Sequence, residues 1–300
     1  MGRRDGALTM RVHVLGTGAL ACFFGARLAR VAEVTLIGTW TEGIGAIAKG
    51  GIVLESSHGE EAFAAKAVPL GTPLDGGDLV LVLVKAWQTD RVARDVPALT
   101  ARDGHVLTLQ NGLGNAEKLG TRALLGVTEQ GATLVAPGRV RPSGDGPTHI
   151  AGPDSLAAVF RSAGLDARAV DPARGASLAW GKLAVNAGIN ALSAILRVPN
   201  GQLLARPEAL ALLERAADEV GEVARAKGIA LPFPDAAAEA RRVARATASN
   251  HSSMLQDVLR GAPTEIDSIN GAVVREGARL GVPTPANETL LRLLAGRAAA

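Results

Sequence analysis

The rhythm of polar and apolar positions in this chain changes once. Across residues 11–109, short β-branched runs at 11–15, 34–37, 78–84 and 106–109 alternate with stretches of helical period. The run at 78–84 carries no polar residue after its first, which suits a strand covered on both faces. Strands separated by helices predict a parallel sheet. Residues 127–150 read differently. The runs 132–135, 139–141 and 148–150 predict a strand and then a hairpin whose turn is 143–146, Ser-Gly-Asp-Gly. A further short strand is expected near 166–170. From Pro172 the helical period continues to the end, with helices expected at about 207–227, 235–249, 252–260, 264–280 and 286–297. Pro232 and Pro234 interrupt this series. The expectation is an α/β protein: an N-terminal Rossmann-type doubly wound sheet over residues 10–172, followed by an all-α domain over 173–300. Residues 1–9 read as an extension, with Met10 an alternative start.

One helical stretch stands apart. Residues 180–192, Trp-Gly-Lys-Leu-Ala-Val-Asn-Ala-Gly-Ile-Asn-Ala-Leu, are apolar except for Lys182, Asn186 and Asn190. Their spacing of four turns each about 40° from the last, so they form one slowly drifting stripe. A lysine there is costly unless it faces a polar cavity or escapes to solvent along its stem. Both readings stay open from the stretch alone.

The N-terminal run 11–15 leads into Gly16-Thr17-Gly18-Ala19-Leu20-Ala21 and then a helical pattern. This is a dinucleotide fingerprint in its G-x-G-x-x-A form. Gly16 permits the tight turn, Gly18 lets backbone approach a pyrophosphate, and Ala21 stands where close helix–strand packing is needed. Free N–H groups at the helix start then face the phosphates. The second strand is followed by Gly38-Thr39-Trp40-Thr41-Glu42, with no acid at its tip for a ribose 2′-hydroxyl and no arginine for a 2′-phosphate. The missing acid leans toward NADP. Lys85 and Asn111 follow two later strands, at the carboxyl ends where such sheets bind ligands. Their bland readings are a solvated lysine and a plain Asn-Gly turn. In the helical half, Asn200 lies in a Pro-Asn-Gly turn, and 250–257 leads to Thr264-Glu265. Ser252, Ser253 and Thr264 read locally as helix caps.

Composition narrows the function. Hydrophobic residues are 47% and charged residues 20%, so the chain is globular. A net charge of +3 without a basic arm gives no support for nucleic-acid binding. No apolar run reaches the ~20 residues of a membrane helix. Cys22 is the single cysteine, which suits a reducing, cytoplasmic setting. No metal-ligand spacing is present, and no metal is expected. The alanine- and leucine-rich helices suit a homodimer as well as packing within one chain.

Taken in order, Gly16-Thr-Gly-Ala-Leu, Val84-Lys-Ala-Trp-Gln-Thr, Gln110-Asn-Gly-Leu-Gly, Lys182-Leu-Ala-Val-Asn with Asn190, Pro199-Asn-Gly and Ser252-Ser-Met-Leu-Gln-Asp with Thr264-Glu-Ile-Asp and Asn270-Gly resemble the ketopantoate reductase family. The resemblance covers nearly all of the chain after residue 9. It implies an NADPH-dependent oxidoreductase of pantothenate synthesis, with an active site between a Rossmann domain and a helical domain. By this resemblance, residues 16–21, Lys85, Asn111 and the backbone near Ala132 contact cofactor. Lys182 is the catalytic acid, and Glu265 sits where cofactor ribose and substrate meet. Asn186, Asn190, Asn200, Asn250, Ser252 and Ser253 hold a small 2-oxo acid. The arginine often found after the second strand is absent. Two other readings are a related dehydrogenase for another 2-oxo or 3-hydroxy acid, and an NADP-sensing protein without turnover. The second would need no lysine acid.

Overall fold

The computed structural model describes residues 10–57 and 59–297. The expected extension, residues 1–9, lies outside them. By their packing the described residues form two compact units, one running to Gln110 and continuing over Asn115–Pro172, the other made of Asn111–Gly114 and the residues from Ala173 onward.

In the first unit, β1 (Arg11–Leu15) passes through the glycine turn into α1 (Ala19–Leu28) and β2 (Glu33–Gly38). Then come α2 (Thr41–Gly50), the antiparallel pair β3 (Ile52–Ser56) and β4 (Gly59–Phe63), and β5 (Lys66–Pro69). The apolar run at 78–84 supplies β6 (Gly77–Val82). The helical pattern after it does not form one helix. It forms a 3₁₀ turn, Ala86–Gln88, and two single turns, α3 (Thr89–Val92) and α4 (Val96–Leu99). Pro97 has no N–H to bond back four residues, so a continuous helix cannot run through it. β7 (Thr100–Thr108), α5 (Asn115–Lys118) and β8 (Ala123–Thr128) follow, then β9 (Gly131–Ala136), β10 (Arg139–Gly144), β11 (Thr148–Ala151), α6 (Asp154–Ser162) and β12 (Ala167–Val170).

The main sheet has the order β12-β11-β8-β7-β6-β1-β2-β5. The strands from β8 through β5 run parallel, and β11 joins antiparallel to β8. The chain winds outward from β1 on one side and returns to β6 on the other. The switch point of this doubly wound sheet therefore lies between β1 and β6. Val12, Val14, Leu79 and Leu81 from the centre of the sheet pack with Phe23 and Phe24 of α1. A second sheet, β4-β3-β10-β9, also packs on α1.

The expected hairpin with its turn at 143–146 is not formed. β10 pairs with β9, and the turn is Pro137-Gly138, with Gly138 at φ +72°. Proline followed by a glycine of positive φ is favourable turn chemistry. Pro142 and Gly144 stay within β10 because its pairing with β3 ends at Val140 and its register with β9 shifts there. A proline is tolerated at such an edge or bulge.

The second unit is built on α7 (Pro172–Leu196), followed by α8 (Gly201–Leu204), α9 (Pro207–Ala226), α10 (Ala236–Ala246), α11 (Ser253–Leu259), α12 (Asn270–Leu280) and α13 (Pro285–Arg297). Trp180, Leu183, Ala187 and Leu192 of α7 pack with Leu213, Val220, Leu255, Val273 and Leu290. A Cβ on Gly188 would lie 2.8 Å from the Leu213 carbonyl oxygen, so α9 rests directly on the α7 backbone. The helix expected from 264 begins only at Asn270. The preceding turn is held by other bonds: the Ser268 carbonyl accepts from the Leu113 N–H at 3.0 Å, and Ser268 Oγ donates to the Glu265 carbonyl at 3.0 Å. Among the described residues no helix is long and apolar enough to cross a membrane.

Candidate functional site

The first unit brings the glycine turn and the Lys85 loop together at the switch point. Leu83 donates its N–H to the Leu15 carbonyl at 2.8 Å, and a Cβ on Gly16 would lie 3.1 Å from the Leu83 carbonyl. Gly16 takes φ +131°, which L side chains rarely adopt, so glycine is required there on both counts. Nothing lies within 4 Å of the space a Cβ on Gly18 would take. Helix α1 starts at that open space with no side-chain cap and no acid in its first turn. Its leading N–H groups and the positive end of its dipole suit a pyrophosphate. Thr17 lies in the glycine turn, and Ala19, Leu20 and Ala21 begin α1. Ala132 lies on β9, in the sheet that packs against α1.

Lys85 is half-buried and precedes the 3₁₀ turn. A buried amide network fixes the backbone around it. Gln110 Nε2 donates to the Val84 carbonyl at 2.8 Å and to Thr89 Oγ1 at 2.9 Å. Thr89 Oγ1 donates to Asn115 Oδ1 at 2.9 Å. Sequence reading gave Gln110 no role, because a glutamine beside Asn-Gly looks like turn chemistry. Cys22 is buried in α1, and desolvation pushes its thiol up to about 12, so it offers no thiolate.

The second unit holds the other candidates. Lys182 and Asn186 are half-buried on α7, while Asn190 is buried, at 6% exposure. They interrupt a helix whose other central residues, from Trp180 to Leu192, are mostly buried. Ser193 Oγ lies 3.1 Å from the Asn190 carbonyl and 2.7 Å from Ser252 Oγ, which ties the 250–253 segment to α7. Ser252 is buried and accepts the Leu255 N–H at 3.0 Å, so its hydroxyl caps α11. Ser253 is exposed. Asn200 donates its backbone N–H to the Asn250 carbonyl at 3.0 Å and its amide to Thr247 Oγ1 at 2.9 Å. Its buried Oδ1 has no hydrogen-bond partner among the described residues, so this amide keeps an unspent acceptor.

Asn111 and Glu265 also meet within this unit. Asn111 Nδ2 donates to Glu265 Oε2 at 3.4 Å, and Glu265 is 6% exposed. Gly112 makes the approach possible. It has φ +84°, and a Cβ there would run into the Ser268 carbonyl, whose carbon would be only 2.7 Å away.

The family model described as ketopantoate reductase PanE/ApbA matches residues 12–154, and its C-terminal counterpart matches residues 176–298. The chain is 36% identical over 297 residues to 2-dehydropantoate 2-reductase of Archaeoglobus fulgidus, covering 95% of this chain and 97% of that one. A solved PanE/ApbA family ketopantoate reductase from Ralstonia eutropha superposes with a TM-score of 0.88 at 36% identity, covering 97% of this chain and 100% of that one. D-mandelate dehydrogenase, solved with NADH and anilino(oxo)acetate, superposes with a TM-score of 0.90 at 28% identity, covering 97% and 99%. The two matched models span almost the whole chain in order, and the relatives match end to end: the chain belongs to the ketopantoate reductase family of oxidoreductases.

Proposed function

We propose that this protein reduces the 2-oxo acid ketopantoate (2-dehydropantoate) to pantoate in pantothenate biosynthesis, with NADPH as donor. The observation that best supports this reading is the stripe of Lys182, Asn186 and Asn190 on the otherwise apolar stretch 180–192 of α7. The open, uncapped start of α1 fits the phosphates of a dinucleotide. When bound, the reduced nicotinamide supplies a hydride to the ketone carbon. The Lys182 ammonium gives a proton to the ketone oxygen and stabilises the negative charge that develops there. Asn186 and Asn190 donate directional hydrogen bonds to the substrate's carboxylate and hydroxyl. Asn200, Asn250 and Ser253 extend that hold, while Ser252 fixes the segment by its cap. Glu265, held by Asn111, accepts a hydrogen bond from a hydroxyl where cofactor ribose and substrate meet. A homodimer fits the exposed leucines Leu259 and Leu293, and the buried Cys22 fits a cytoplasmic setting.

The test is the loss of reduced-nicotinamide absorbance when ketopantoate is added. Lys182→Ala should lower kcat by about 10²–10⁴-fold, the usual contribution of a positioned acid, with the far-ultraviolet circular dichroism unchanged. Near-normal turnover in that variant would remove Lys182 from its role. The likeness to D-mandelate dehydrogenase favours a second reading, in which the preferred substrate is another 2-oxo acid. Comparing kcat/KM for ketopantoate with that for a phenyl-substituted 2-oxo acid separates the two.

A further inference from the structure

In doubly wound sheets the adenosine ribose lies at the carboxyl end of the second strand. NAD enzymes place an acid there for the 2′-hydroxyl, and NADP enzymes an arginine for the 2′-phosphate. Here β2 ends at Gly38, and a Cβ at that position would lie 2.9 Å from the side chain of Thr17. Thr17 is buried, at 6% exposure, so it fills the place where the acid would stand. Beyond it Thr39, Thr41 and Glu42 are exposed, and a Cβ on Gly43 would run into the Trp40 ring. The next strand end adds no charge: Leu70 donates to the Gly38 carbonyl at 2.7 Å and leads into Gly71 and Thr72. The rim formed by residues 16–21, 38–43 and 69–72 holds no lysine or arginine, and Lys85, assigned above to cofactor contact, follows β6 on the side of β1 away from β2. Lys49 is at the far end of α2, about 12 Å along its axis from Thr41.

This rim offers hydroxyls and one carboxylate. Threonine hydroxyls serve a ribose diol and a phosphate alike. The start of α2 attracts an anion, but Glu42 in its first turn already complements that dipole and repels a second negative group. Resting on the dinucleotide reading above, we infer that the protein takes NADH and NADPH with less than about tenfold preference between them, and that Glu42 weighs against the 2′-phosphate.

The experiment measures dissociation constants of both reduced dinucleotides by nicotinamide fluorescence, and kcat/KM of both with ketopantoate. The expected binding ratio lies within about tenfold. Glu42→Gln should move that ratio about threefold toward NADPH, and Thr39→Arg, which restores a cation, about tenfold or more. A stronger preference for either dinucleotide in the unaltered protein overturns the inference, as does a ratio that neither substitution moves. Binding of both dinucleotides without ketopantoate reduction defeats the proposed reaction and leaves this inference standing. Binding of neither defeats both.

Discussion

At the scale of single residues, His13 shows how a buried group sets a response to pH. It lies in the centre of the sheet at 4% exposure, with Nδ1 3.0 Å from the Leu99 carbonyl. Gly77 makes room for the ring: a Cβ there would lie 3.0 Å from Nδ1. The neutral imidazole satisfies this site with a single donated bond. Burial lowers its pKa first, and Arg11 lowers it further, while the bond to Leu99 and the charge of Asp78 act the other way. The folded protein therefore refuses a proton that the unfolded chain accepts below its ordinary value of about 6.5. Protons then bind preferentially to the unfolded state, so stability falls as pH drops below that value and levels off once the folded-state pKa is passed. The slope from this one group is at most about 1.4 kcal/mol per pH unit. Urea midpoints at about pH 7 and pH 5 should converge in His13→Asn relative to the unaltered protein, whatever the variant's absolute stability. An identical pH slope in the two proteins would show that His13 is not the responsive group.

At the scale of elements, the second unit is locked by a carboxylate that caps a helix other than its own. Glu219 of α9 is fully buried. Its Oε1 accepts the Ala286 N–H at 2.9 Å, and its Oε2 accepts the Asn287 N–H at 3.0 Å and Asn287 Nδ2 at 2.8 Å. These are orphan donors at the start of α13. Asn287 in turn accepts from Asn270 Nδ2 at 3.0 Å, and Asn270 donates to the Ala187 carbonyl of α7 at 3.1 Å. The helix bearing Lys182 is thus joined to α9, α12 and α13 by one chain of polar groups. Glu219→Gln should cost about 2–3 kcal/mol in urea unfolding, because a charged acceptor is lost and an amide NH₂ is turned against a donor. Arg215→Ala, removing a half-exposed partner 3.3 Å from Oε1, should cost under about 1 kcal/mol. Similar losses in both would mean the ion pair, not the cap, holds the network. The network was not legible in the sequence, where Glu219 and Asn287 look like surface positions on amphipathic helices and Asn270 stands out only as part of the Asn270-Gly motif. The Lys182 stripe was legible because its neighbours are apolar throughout. The central strands were legible for the same reason, being covered on both faces. The turn at 143–146 was misread because Pro142 and Gly144 carry local turn chemistry, whereas the pairing of β9 with β10 decides where the chain reverses.

At the scale of the whole molecule, the chain passes between its two units three times, at Gln110/Asn111, Gly114/Asn115 and Pro172/Ala173. The four-residue excursion 111–114 is bonded to the second unit through the Leu113 N–H to Ser268 and through Asn111 to Glu265. Two glycines bound its middle and end, and both have φ +84°. They differ only in their surroundings. A Cβ on Gly112 would strike the Ser268 carbonyl, whereas nothing lies within 4 Å of one on Gly114. Alanine at Gly114 should therefore cost only the conformational penalty of a left-handed residue, about 1–2 kcal/mol. Alanine at Gly112 carries that same penalty plus the displacement of Ser268, so its loss should be larger by about 1–3 kcal/mol. It should also disturb the adjacent Asn111–Glu265 pair, raising KM for the reduced dinucleotide while Gly114→Ala leaves KM nearer its original value. Thermal unfolding of the two variants side by side isolates the close approach, since the backbone strain cancels in the comparison. Equal losses would mean that the excursion is not seated on Ser268 in solution, and that Asn111 reaches Glu265 without its help.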